Sequence, residues 1–334
     1  MAGAARMLKG TLKSSKRPQR VAWSLERLHH ERSTALGQSI SPSTHAAYSS
    51  ALRSYMEFTR AHGFPTDPTP DTLSLYITYM SHYIKPDSVD SYVSGICHEL
   101  EPFFPEIRLS QKSPLVKRTL VGCKRMRGSP RTRRRALTTV DLDAVISSSH
   151  PPSSFDDDLF RAMLLTGFFA LLRLGEMAEP DNPNLRDPRK WIRRSSVSIT
   201  AEAYSFFLPG HKGDRFFRGN TILIPRNDDT HDPNRHFLRY LTSRDDKFPL
   251  LSPLWLCQNG SLPTCSWFTQ CLRRFFDSSV SGHSMCAGGA TLLAELGTPP
   301  HLIQAIGHWT SDAFEAYIRT HPALIQALLL SHRA

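Results

Sequence analysis

The chain has 334 residues, with 41 Lys+Arg against 30 Asp+Glu and a formal net charge of +11. That length accommodates about two domains, and the positive excess favours a polyanionic partner: nucleic acid rather than a membrane surface, since no lipid-anchoring amphipathic pattern or signal peptide accompanies it. The longest apolar run, Ala162–Leu172, falls well short of the ~20 residues that span a bilayer. The six cysteines are too scattered for a zinc ribbon or a disulfide framework, so they read as reduced thiols of an intracellular protein, with no metal and no cofactor expected.

Residues 1–40 place Lys9, Lys13, Lys16, Arg17 and Arg20 among Ser, Gly and Ala, which predicts a disordered basic tail. A short helix over Arg20–Leu36 is the alternative for its second half. From Ser41 onward, Ala47, Tyr48, Leu52, Tyr55, Met56 and Phe58 recur at helical spacing, with Ser43 or Thr44 as cap and Pro65, Pro68 and Pro70 as the stop. Helices over Asp71–Tyr83, Asp87–Leu100 and Pro114–Met126 follow, so residues 41–126 read as a small helical bundle.

The run KRTLVGCKRMRGSPRTRRR carries Lys117, Arg118, Lys124, Arg125, Arg127, Arg131, Arg133, Arg134 and Arg135 without one acidic residue. It is broken by Gly128-Ser129-Pro130. Residues 127–136 form a basic linker, which serves either as a solvated spacer, as a nuclear-import signal, or as a strap that binds phosphates by releasing condensed counterions. A second domain, 137–334, opens on a capped helix start at LTTVDLDAVISS. One long apolar helix is expected from Phe155 to Met177, ending near Gly175. Alternating β-branched and aromatic residues predict strands at Ser196–Thr200, Ala203–Leu208 and Thr221–Pro225. Helices resume over Pro233–Thr242, Cys265–Phe276 and Met285–Leu296. The fold class is mainly α with a small antiparallel β-sheet.

The stretch from Gly282 to Arg319, GHSMCAGGATLLAELGTPPHLIQAIGHWTSDAFEAYIR, holds a His-x-x-Cys (His283 to Cys286), a Gly-His-Trp (Gly307 to Trp309) and Tyr317, nine residues beyond His308. It resembles the C-terminal active-site block of tyrosine recombinases, the phage-integrase-like family, and is most similar to the Crypton-like integrases of eukaryotic mobile elements. The resemblance implies a core-binding, DNA-contacting bundle at 41–126, a linker that closes a clamp around the duplex, and an α+β catalytic domain at 137–334. It implies strand cleavage and rejoining on double-stranded DNA through a 3′-phosphotyrosine, by an assembly that in active relatives is a tetramer on two duplexes. The apolar segment Pro322–Ser331 could dock on a neighbour or pack in cis. Localisation would be nuclear in a eukaryote and cytoplasmic otherwise.

Breaking a phosphodiester without metal needs a nucleophile, positive charge on the non-bridging oxygens, and groups that manage the protons of nucleophile and leaving group. Each role has a residue by resemblance. Arg173, in LLRLGEM, matches the first catalytic arginine, and a guanidinium forks onto two phosphate oxygens; Glu176 would support it. Taken alone, the two residues are simply an i,i+3 ion pair ending a buried helix. Lys212, in His-Lys-Gly-Asp, matches the hairpin lysine that protonates the leaving 5′ oxygen, although an exposed hairpin lysine is ordinary and His211 is adjacent. His283 and His308 match the two histidines, since an imidazole serves as acid or base near neutral pH, while Trp309 reads as core packing. Tyr317 is the nucleophile by position; a phenol is largely protonated at neutral pH and needs activation. By the helical pattern alone it could equally be core, with Phe314 and Ile318.

One position departs from the family. Where the second catalytic arginine belongs stands Cys286, a neutral thiol that makes no bidentate contact. Losing one preorganised donor costs about 3–4 kcal/mol of barrier, a factor of ~10²–10³. Arg273, Arg274 and Arg319 are the arginines nearby in sequence that could substitute. Two functions therefore stand: a slow recombinase, or a recombinase-derived DNA-binding protein that no longer transfers strands.

Overall fold

The computed structural model describes residues 20–129, 134–147, 154–210, 218–227 and 229–309. The chain divides into two compact units, residues 1–130 and 131–334.

In the first unit the helices are α1 (Leu25–Gly37), α2 (Pro42–His62), α3 (Pro70–Met80), α4 (Pro86–Leu100), α5 (Ile107–Lys112) and α6 (Pro114–Arg127). Their starts are written in local chemistry. Proline occupies the first turn of α2, α3, α4 and α6, where its missing N–H costs nothing. Ser41, rather than the expected Ser43 or Thr44, which lie inside α2, accepts the orphan N–H of Thr44; Thr69 and Ser113 accept those of Thr72 and Val116. α2 through α6 enclose a core of Ala51, Tyr55, Phe58, Leu73, Tyr76, Ile77, Val89, Val93 and Ile96. The alternative of a short helix over Arg20–Leu36 corresponds to α1, which runs over Leu25–Gly37, is capped by Ser24 and has no buried residue. α5 was not legible in the sequence pattern, being six residues long with Ile107 alone buried.

The second unit contains α7 (Thr139–Ser147), α8 (Phe155–Phe169), α9 (Leu174–Met177), the strands β1 (Ser198–Ile199), β2 (Ala203–Leu208) and β3 (Asn220–Pro225), then α10 (Pro233–Lys247), α11 (Cys265–Arg273), α12 (His283–Glu295) and α13 (Pro300–Ile306). The strands form an antiparallel sheet in the order β1-β2-β3, with Tyr204 opposite Ile224 and Phe206 opposite Ile222. These four side chains face inward and are buried. Tyr204 stacks on Phe237 of α10 at 3.9 Å, and its hydroxyl meets Thr166 Oγ1 of α8 at 2.7 Å. That pair of contacts fixes the sheet against the central helix.

The single long helix expected over Phe155–Met177 is two helices. α8 ends at Phe169, and Leu171 adopts a left-handed conformation, φ 53°. The Leu172 N–H returns to the Gly167 carbonyl at 3.0 Å, which closes the turn. A leucine in this region costs about 1–3 kcal/mol, and the offset is its burial: Leu171 is 1% exposed. No glycine or proline announces the break, so periodicity alone ran through it.

Candidate active site

The break after α8 is what aims Arg173. Its backbone N–H donates to Glu176 Oε2 at 2.8 Å and its Nη1 donates to Glu176 Oε1 at 3.0 Å, so Arg173 N-caps α9 while the carboxylate is gripped from both sides. The Glu176 side chain is 8% exposed and that of Arg173 25%. The acid is therefore sunk behind the base, and the guanidinium reaches solvent with donors to spare.

The first turn of α12 lies alongside. A Cβ on Gly282 would stand 2.6 Å from Leu174 Cδ2 and 2.8 Å from Leu174 Cβ, so only glycine permits this approach of backbone to side chain. It brings Gly282, the residue before His283, against Leu174, the residue after Arg173, and His283 is exposed at the start of α12. Farther along, side chains on Gly288 and Gly289 would overlap the carbonyl oxygens of Leu137 and Phe168. Gly282→Ala is expected to lower stability by about 1–3 kcal/mol through overpacking, read as a fall in thermal melting temperature.

Cys286 sits one turn inside α12. It is 1% exposed, and its Sγ–H donates to the His283 carbonyl at 3.3 Å. Burial pushes the thiol up to about 11; the Arg173 guanidinium pulls it down and the Glu176 carboxylate pushes it up. The thiol is thus neutral at physiological pH, and it lies within electrostatic reach of the Arg173–Glu176 pair.

The third segment arrives through apolar packing. Leu171, Cys286, Ala290, Ala294, Ile303 and Trp309 form one buried cluster. Its members stand two residues before Arg173, three after His283 and one after His308. His308 follows α13 at φ 50°, half-buried, and Asn220 Nδ2 at the start of β3 lies 3.3 Å from its Nδ1. Asn220 carries no signal in the sequence, because its partner is 88 residues away. Trp309 packs as the pattern expects, 7% exposed.

Lys212 and Tyr317 lie outside the described residues, as do Arg131, Arg133 and Arg319. Two arginines considered as substitutes at the Cys286 position are committed elsewhere: Arg273 donates to the carbonyls of Asp277 and Val280 at 2.6 and 2.8 Å, and Arg274 pairs with Asp157 at 2.7 Å. Among the described residues no group of His, Cys, Asp or Glu is arranged to hold a metal ion.

No family model and no curated protein matches the sequence. Solved structures do match the fold. XerH site-specific recombinase bound to palindromic difH substrate aligns with a TM-score of 0.61 at 14% identity, over 85% of this chain and 78% of that one. The chain has the tyrosine-recombinase fold. The Tn1549 transposon integrase in complex with transposon right end DNA shares this fold with a TM-score of 0.50 at 15% identity, over 85% and 98% of the two chains. A lambda integrase tetramer bound to a Holliday junction does so with 0.52 at 13%, over 93% and 87%. In this tyrosine-recombinase fold, Arg173, Glu176, His283, Cys286 and His308 come from three separate stretches of chain that meet around one buried cluster.

The basic run divides by contact. Lys124 bridges to Asp90 at 2.8 Å and Asp87 at 3.3 Å, tying α6 to α4. Arg127 meets His82 at 2.8 Å. Arg135 pairs with Asp141, while Arg134 donates to the Ser278 carbonyl. Lys117, Arg118 and Arg125 are exposed on α6. Arg118, Gly122 and Arg125 follow i, i+4, i+7 spacing along one stripe, and nothing lies within 4 Å of where a Gly122 side chain would be.

Proposed function

We propose that this chain is a tyrosine recombinase of the Crypton-like integrase kind, acting on double-stranded DNA, slowed by Cys286 and working as a homo-oligomer on paired sites. The observation that carries the reading is the meeting of the Arg173, His283 and His308 segments around one cluster in a chain with this fold. Arg173 would hold two non-bridging oxygens of the scissile phosphate, with Glu176 keeping its guanidinium aimed. His283 and His308 would donate to the same phosphate and manage protons beside it. The Tyr317 hydroxyl would attack phosphorus, forming an Oη–P bond as the P–O5′ bond breaks, and Lys212 would pass a proton to the departing 5′ oxygen. The phosphotyrosine conserves the bond energy, so rejoining needs no nucleotide. Solved structures with this fold are described as bound to difH substrate, to transposon end DNA and, as a tetramer, to a Holliday junction. The basic linker fits nuclear import in a eukaryotic host.

The test is a nicked suicide duplex carrying the DNA that flanks the gene, incubated with the full chain. A covalent protein–DNA adduct whose linkage maps by peptide analysis to Tyr317 is the expected result. Tight binding with no adduct at any time point supports the second reading, a DNA-binding protein without strand transfer, which the neutral and buried Cys286 favours. DNA affinity should follow the division of the basic run. Removing Arg118 and Arg125 together is expected to lower the salt slope of binding by about 1.8, at about 0.9 for each phosphate that is no longer neutralised. Lys124→Ala should leave that slope unchanged and cost at most about 1 kcal/mol of stability.

A further inference from the structure

We infer that Asn220 is a positioning residue that fixes the ring tautomer of His308, leaving the imidazole proton on Nε2. An amide nitrogen only donates, and Asn220 Nδ2 stands 3.3 Å from His308 Nδ1. Nδ1 must therefore offer its lone pair, and a neutral ring then carries its proton on the other nitrogen. Both ends of this contact are anchored. Asn220 opens β3 in register with Leu208, behind Gly219 at φ 64°. Any side chain at 219 would run into Phe207, so the strand enters at one angle. His308 is held at φ 50° by a closed turn, in which the N–H groups of Gly307, His308 and Trp309 donate to the carbonyls of Ile303, Ala305 and Gln304 at 3.0, 3.2 and 3.1 Å. Trp309 pins that turn into the buried cluster. The backbone thus sets where the ring starts and the amide sets how it is turned.

The role rests on the recombinase reading: with Nδ1 taken by the Asn220 amide, a histidine that donates to a phosphate oxygen does so through Nε2 and needs its N–H there. A merely structural amide would hold the turn in place equally well in either orientation. The tautomer distinguishes the two cases.

The test uses the full chain labelled with ¹⁵N-histidine, with the His308 signals assigned by their loss in His308→Gln. Long-range ¹H–¹⁵N correlation, at a pH above the ordinary imidazole range, reads which ring nitrogen is protonated. The expected result is Nε2–H in the wild-type protein. Asn220→Asp offers only acceptors and is expected to move the proton to Nδ1; Asn220→Leu is expected to give a mixture. A wild-type ring protonated on Nδ1, or a ring state unchanged in both variants, overturns the assignment. This readout requires no DNA. On the suicide duplex, Asn220→Asp is expected to lower adduct formation by about 10²-fold, the lower end of what a positioned proton donor contributes. If the wild-type protein forms no adduct while the tautomer behaves as stated, the recombinase reading fails and the Asn220 assignment stands.

Discussion

Cys286→Arg is expected to raise the rate of covalent adduct formation by ~10²–10³, the factor that one preorganised donor contributes at such a site. The position suits a guanidinium on one side and resists it on the other. The wild-type thiol feels both the Arg173 charge and the Glu176 charge, so an arginine here would have a carboxylate to orient it and a like charge to oppose it. Two guanidinium groups beside each other repel until a phosphate dianion-like transition state arrives, at which point both are satisfied. The benefit therefore falls on the reaction barrier more than on the resting protein. The cost falls on the fold: Cys286 is 1% exposed and belongs to the cluster of Leu171, Ala290 and Trp309. Forcing a longer side chain past these neighbours should cost about 1–3 kcal/mol. The expected pattern is opposite in sign for the two measurements, faster adduct formation with a lower melting temperature. Cys286→Ala separates the effects, since it leaves the site without an arginine and should not speed cleavage. A Cys286→Arg protein that stays folded, binds DNA and gains nothing would mean that the chain has lost more than one catalytic group.

The presence of the helices was readable from apolar spacing, but the first cap was not: Ser43 and Thr44, expected to cap, lie inside α2, and Ser41 caps it ahead of Pro42. Thr69 and Ser113 likewise cap the N–H groups three residues on, each followed by a proline that cannot sit deeper in a helix. The strands were readable from neighbours close in sequence: Ile222 and Ile224 alternate with exposed Thr221, Leu223 and Pro225 at the period of two that a one-sided sheet requires, and Tyr204, Phe206 and Leu208 follow the same period in β2. The break at Leu171 was not, because what holds a leucine left-handed is burial against Cys286 and Trp309, more than a hundred residues away. The same break turns Arg173 from the last residues of a long helix into the cap of a short one. Lys124 shows the limit of reading charge by composition. It belongs to a run that looks uniformly available for phosphate, yet Asp87 and Asp90 claim it. The resemblance supplied the candidate residues; the surroundings of Arg173, His283, Cys286 and His308 came only from the fold.

Arg173→Ala should lower adduct formation by at least ~10²–10³ and should destabilise the second unit as well, because one side chain combines the proposed phosphate contact with the ion pair to Glu176. Glu176 is 8% exposed and is left without the guanidinium that pairs with it, keeping the backbone N–H of residue 173. A buried acceptor left underpaired costs about 1–3 kcal/mol. Loss of activity in the single variant is therefore ambiguous: it could follow from a missing phosphate contact or from a disturbed α9. The double variant Arg173→Ala with Glu176→Gln resolves this. A neutral amide can still accept from the 173 backbone N–H and no longer carries a charge that needs a partner, so melting temperature should recover most of its loss. Adduct formation should not recover at all, since nothing in the double variant replaces the guanidinium. Arg173→Lys adds the last discrimination. An ammonium keeps the charge beside Glu176 and so should preserve stability, but it lacks the planar fork that reaches two phosphate oxygens together. Strand cleavage in Arg173→Lys should stay far below wild type. If cleavage instead tracked melting temperature across all three variants, Arg173 would be a helix cap and nothing more, and the phosphate would have to be held by other groups.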